Sequence, residues 1–173
     1  MNVMHLALDY VASDNQPVYD AFSYRQVSPQ DLISMTNPSN ELTDSYYRCR
    51  RNGDFIGKFY DLFLSKGPEI AKKFAHTDFK LQKLMLRQSL LEMICFDRGM
   101  SGTGDEIRRL GLRHKELGVT PDMYSMWLDA LCEAIRTHDP KYTPELEQLW
   151  RRAARKSIDE MISVSTSYDS GGC

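Results

Sequence analysis

The chain has 173 residues, 42% of them hydrophobic, which suffices for one sizeable core and is too short for two domains of ordinary size. Its 22 basic and 24 acidic residues leave a net charge of −2 and are interspersed, so no broad field exists to attract phosphate backbones or anionic lipid. Nucleic acid and membrane are excluded as first readings, and the basic clusters Arg48, Arg50, Arg51 and Arg151, Arg152, Arg155 read as solvated helix faces.

The four cysteines, Cys49, Cys95, Cys132 and Cys173, show no CxxC or CxxCH spacing, which argues against a zinc knuckle, a thioredoxin-like site or covalently attached haem. Free thiols in a reducing compartment are the expectation. The first residues lack a basic n-region and carry Asp9 within their apolar stretch, and no later run approaches the ~18 apolar residues of a spanning helix. A cytoplasmic protein is therefore expected.

Residues 1–40 mix apolar and polar positions without a sustained period and are interrupted by Pro17, Pro29 and Pro38; they read as an N-terminal extension. From Glu41 onward Val, Ile and Thr are scarce while Leu, Met, Lys, Arg and Glu abound, which favours helix throughout. Asn52-Gly53 is flanked by segments that do not alternate, so it reads as a turn between helices. The pattern predicts helices near 40–51, 53–66, 68–74, 79–98, 105–117, 121–138 and 144–165, followed by a Ser-Gly tail over 166–173.

Several boundaries are written in capping chemistry. Thr120-Pro121-Asp122 and Thr143-Pro144-Glu145 each place a hydroxyl at the N-cap, a proline at the first helical position and a carboxylate near the positive end of the dipole. Gly118, after Leu117, is the expected left-handed residue that closes the helix before. The expected fold class is all-α, with a domain over 41–165 and no internal repeat.

One apolar stripe carries a histidine. Ile107, Leu110, Gly111, His114 and Leu117 share a face by the helical period, which aims His114 into the core. Two readings compete: a core imidazole satisfied by its neighbours, or a ligand to a metal or cofactor. Gly111, one turn before, would leave room for something bulky and flat against the helix. His5, His76 and His138 do not pair with His114 at ligand spacing and no HExxH occurs, so an iron at His114 would have to bring its own equatorial ligands, as a porphyrin does.

The order of these features resembles the globin family, most closely bacterial single-domain globins, the globin domains of flavohaemoglobins and globin-coupled sensors. The likeness covers about Asp44 to Ile162. The string from Gly53 to Phe63 is similar to the family's second helix, whose distal tyrosine matches Tyr60. Phe74, fourteen residues later, matches the phenylalanine that packs on the porphyrin. Gln82 and Leu86 resemble the distal pair that closes over bound ligand, with Lys83 or Phe79 as alternatives in that register. His114 matches the proximal histidine and Tyr124 the tyrosine beside it.

The resemblance implies a 3-over-3 helical sandwich, haem b (iron protoporphyrin IX) as cofactor, and reversible binding of dioxygen or another diatomic gas for storage, transport or sensing. It names no catalytic residue. The competing reading is an enzyme that dioxygenates nitric oxide with an external reductase, since no GxGxxG or flavin domain is present. In flavohaemoglobins an acidic residue of the last helix strengthens the proximal side; the matching position falls near Ser165, which is not acidic. A haem-free module that transmits a signal is the third reading. No output domain follows the last helix, so sensing would work through a signalling partner, and sensor-type relatives imply a homodimer through the last two helices. Tyr60 as an ordinary interface tyrosine, and Trp127 and Trp150 as core packing, are the plain alternatives to chemistry at those positions.

Overall fold

The computed structural model describes residues 41–167, all helices and connecting turns with no strand. Seven helices follow in order: α1 (Glu41–Arg51), α2 (Phe55–Ser65), α3 (Pro68–Lys73), α4 (Phe79–Asp97), α5 (Thr103–Glu116), α6 (Pro121–His138) and α7 (Pro144–Ser167). Each agrees with the sequence expectation to within two residues at either end. The expected N-terminal extension and Ser-Gly tail lie outside the described residues, apart from the last turn of α7. Among the described residues no helix is long and apolar enough to cross a membrane.

The helix ends are set by the chemistry of their unpaired backbone groups. The Asp54 carboxylate accepts from Gly57 N–H at 2.9 Å to start α2, and Asp78 accepts from Lys80 N–H at 2.9 Å and Leu81 N–H at 3.3 Å to start α4. Thr143 Oγ1 accepts from Leu146 N–H at 3.1 Å, as expected for α7. Thr120 departs from that expectation: its hydroxyl makes no capping bond, and α6 starts on Pro121 alone. At the other ends, Gly99 and Gly118 adopt left-handed φ of 71° and 63°. They let Met100 N–H reach Cys95 O at 3.1 Å and Val119 N–H reach His114 O at 3.0 Å, the paired bonds that terminate a helix on glycine.

The larger hydrophobic cluster is shared by α1, α2, α4, α6 and α7, with Tyr46, Phe55, Phe59, Leu131 and Trp150 among its fully buried members. Trp150 Nε1 donates to Ser45 Oγ at 2.9 Å, so its polar edge is satisfied deep in the core, as the sequence reading of Trp150 as packing implies. Arg48 corrects the reading of its cluster as a solvated face. Its guanidinium grips the buried Asp139 carboxylate with two bonds, of 2.6 and 2.8 Å, tying α1 to the turn after α6. Arg151 likewise bonds Glu147 and Asp129, each at 2.9 Å. The Arg48–Asp139 pairing is not visible in sequence, because the two residues are ninety-one positions apart.

A second, smaller cluster of Ile107, Tyr124, Ile158 and Met161 joins α5 to α6 and α7. Here Gly111 has a different job from the one its sequence position suggested. A Cβ on Gly111 would lie 2.7 Å from Met161 Cα and O, so the glycine is needed for the main chain of α7 to approach, not for a flat cofactor. Because Gly111 and His114 lie three residues apart on the helix surface, α7 holds one flank of α5 while His114 projects from the adjoining flank.

Candidate functional site

α5 presents His114 in its last turn, where the ring meets Tyr124 of α6 with centroids 5.7 Å apart and planes 24° from parallel. His114 Nδ1 lies 2.8 Å from Leu110 O; a carbonyl can only accept, so Nδ1 carries the hydrogen and donates. Nε2 is left as the lone-pair nitrogen, and it has no partner among the described residues. Burial pushes the His114 pKa down from its ordinary 6.5, outweighing the Leu110 bond that pushes it up. The C-terminal end of a helix favours a cation, but desolvation wins and the imidazole is neutral at neutral pH. The residue is packed against protein yet keeps some accessible surface.

Across from it, α2 supplies Tyr60 inside a shell of rings: Phe59 at 5.0 Å, Phe79 at 5.4 Å and Phe74 at 5.9 Å between centroids. Its hydroxyl donates to the main-chain oxygen of Gln82 at 3.3 Å, not to the Gln82 amide. Burial raises the Tyr60 pKa well above the usual phenol value against the smaller lowering effect of that bond, so the side chain stays a neutral phenol. Leu86, one turn after Gln82, is buried in the same wall.

The three residues that competed for the distal position in sequence are separated by their neighbours. Lys83 Nζ lies 3.1 Å from the Asp54 carboxylate, which also caps α2, and Phe79 packs its ring on Tyr60. Gln82 is half-buried, and its amide has no partner among the described residues. Gly57 leaves room for this pair: a Cβ there would lie 2.6 Å from Asp54 Cγ and 2.9 Å from Lys83 Nζ.

The structure therefore gathers Tyr60, Phe74, Gln82 and Leu86 on the α2–α4 side and His114 with Tyr124 on the α5–α6 side. The sides meet where α2 packs on α6 and α4 on α5, and two side chains tie them further. Lys73 Nζ, at the end of α3 beside Phe74, donates to Leu117 O at 2.7 Å and straps α3 to the end of α5. Trp127 packs against both hydrophobic clusters. Sequence reasoning missed both: Lys73 carries no motif, and Trp127 reads as ordinary core until its surroundings are known. Among the described residues no three His, Cys, Asp or Glu side chains converge on a common metal site.

No family model matches the sequence, and no curated protein does. Among solved structures, a crystal structure of a Pseudomonas aeruginosa protein matches with a TM-score of 0.70 and 34% sequence identity, over 75% of this chain and 98% of that one. That protein is described as structurally highly homologous to a human hemoglobin. The chain belongs to the globin family. The resemblance drawn from Tyr60, Phe74 and His114 agrees with the family found.

Proposed function

We propose that this globin binds haem b through His114 Nε2 and uses it to hold a diatomic gas, chiefly dioxygen, reversibly for storage, delivery or sensing. The observation that carries the reading is the state of His114: a half-buried neutral imidazole, oriented by its Nδ1–H bond to Leu110 O, whose second nitrogen is left without a partner among the described residues. Such an imidazole is the form a metal ligand takes, and a bond at Nδ1 is what fixes the ring and raises the basicity of Nε2.

The rest of the donor set fits the group. A flat apolar cofactor needs a wall that excludes water, and Phe74, Phe79 and Leu86 with the buried Tyr60 ring supply one. Haem bound there supplies the iron position at which a diatomic gas is held. Tyr60 and Gln82 bring the polar groups of that wall: the phenol keeps its proton, and the Gln82 amide can turn its N–H toward a ligand that accepts one. Tyr124 backs the His114 ring and limits its rotation. The likeness to a protein described as homologous to hemoglobin supports the same conclusion.

An absorbance spectrum of the purified protein after reconstitution tests it. A Soret band with stoichiometric haem, lost in His114→Ala and restored by added imidazole, is the expected result. A protein that takes up no haem, or a His114→Ala variant that keeps it with an unchanged spectrum, refutes the reading.

A further inference from the structure

Among the described residues three large apolar side chains are exposed, Tyr47, Leu81 and Leu84, and the two leucines stand one turn apart on α4, at 39% and 45% exposure. Continued along the helix in steps of four and three, the same line carries Gln88, Leu91 and Cys95. Leu86, Leu90 and Met93, which α4 buries in the core, lie on the other side. Gln88 is exposed, and Leu91 and Cys95 keep part of their surface. α4 is thus apolar on two sides, and the rest of the chain fills only one of them.

Alternating steps of three and four are the spacing by which one helix packs along another. The flanks of this stripe carry opposite charges, Arg87 on one side and Glu92 on the other. Arg87 is half-buried with its Nε unpartnered, and the nearby Asp54 carboxylate is taken by Lys83. Glu92 accepts from the Gln88 amide at 2.9 Å and has no cation in ion-pair reach among the described residues. Five positions apart, the two charges point away from each other on their own helix. Five is also the offset at which flanking residues of two parallel helices meet across a seam. A polar residue in mid-seam, as Gln88 is, fixes the register, because a slip would set its amide against leucine.

We propose that α4 is a homodimer interface: two copies of this chain pack their α4 helices in parallel along Leu81, Leu84, Gln88, Leu91 and Cys95, with Arg87 of each copy paired to Glu92 of the other. The seam lies away from the last two helices that the family likeness implied, and it does not depend on the haem reading. With little more than two heptads in the seam the association is weak, with a dissociation constant on the order of tens of micromolar.

Sedimentation equilibrium of the full chain, at concentrations up to about 0.5 mM, tests it. The expected result is a reversible dimer that Leu84→Asp abolishes while the helical circular dichroism is kept. Arg87→Glu is expected to loosen the dimer about fivefold, from two exposed pairs lost, and Arg87→Glu with Glu92→Arg to restore it. In a chain carrying Cys95→Ser and Cys173→Ser, Leu81→Cys and Gln88→Cys, each introduced alone, should both give disulfide-linked dimers with diamide. Two positions seven residues apart can each meet their own counterpart only in a parallel pair. A parent that stays monomeric, a dimer as tight in Leu84→Asp as in the parent, or cross-linking at only one of the two positions overturns the proposal. A monomer whose residues 79–91 exchange hydrogen faster once residues 1–40 are removed would assign the stripe to the chain's own N-terminal segment, and overturns it as well.

Discussion

Replacing Gly111 by alanine sets two opposed effects against each other, and the structure decides which wins. In an exposed helix the change would stabilise by about 1 kcal/mol, because alanine restricts the unfolded chain and is the better helix former. In α5 the added Cβ would lie 2.7 Å from Met161 Cα and O and 2.9 Å from Val164 Cγ2. Ordinary contacts begin near 3.4 Å. The obstructing Met161 atoms are main chain and cannot rotate aside, so α5 and α7 must separate by several tenths of an ångström. Overpacking of this kind costs about 1–3 kcal/mol, and it strikes the cluster of Ile107, Ile158 and Met161 that joins the two helices.

The net expectation is a loss of up to about 2 kcal/mol, read as a lower urea midpoint with unchanged slope, or as a fall of roughly 2–4 °C in Tm per kcal/mol. The measurement is made on protein without cofactor, so that stability and haem affinity are not mixed. A variant as stable as the parent, or more stable, that instead loses haem would refute the α5–α7 contact. It would restore the idea that the glycine makes room for a cofactor.

Asp139→Asn removes the carboxylate that receives two bonds from Arg48, and breaking a buried pair of this kind costs about 3 kcal/mol, measurable by urea titration at neutral pH. Burial alone would raise the Asp139 pKa, but the bonds from Arg48, Ser45 and Lys141 N–H hold it below the ordinary 3.8; its contribution is thus complete above pH 3.8 and lost as pH falls further through the folded value, so the gap between wild type and variant narrows in acid. Burial pushes Cys49 to about 12 and Cys132 to about 11, so neither should be alkylated in the folded protein at pH 8, while both label in urea; native labelling at either, seen by mass spectrometry, contradicts their placement. Tyr60→Phe removes a phenol from the α2–α4 wall and should speed oxygen release by about tenfold in stopped-flow displacement. An unchanged rate would show that its hydroxyl serves the Gln82 main chain alone.

Much of this fold was legible because helix ends are local chemistry. Pro121 and Pro144, Thr143 and Gly118 act on backbone groups within a few residues, and a period of 3.6 needs no partner to be recognised. Thr120 failed as a side-chain cap because proline at the first position suffices to start α6 and its hydroxyl makes no capping bond. His114 was legible as an inward residue from its stripe, and its role as a candidate ligand came from the family likeness.

The sequence by itself determined where seven helices start and stop and which face of each is apolar, because both are properties of near neighbours along the chain. Only the tertiary structure decided that Arg48 reaches Asp139, that Gly111 yields to the main chain of α7, that Tyr60 donates to Gln82 O while Lys83 turns to Asp54, and that Trp127 packs against both hydrophobic clusters. Those facts depend on which surfaces meet across tens of residues, and a helical period fixes the direction in which a side chain points without naming what stands opposite it.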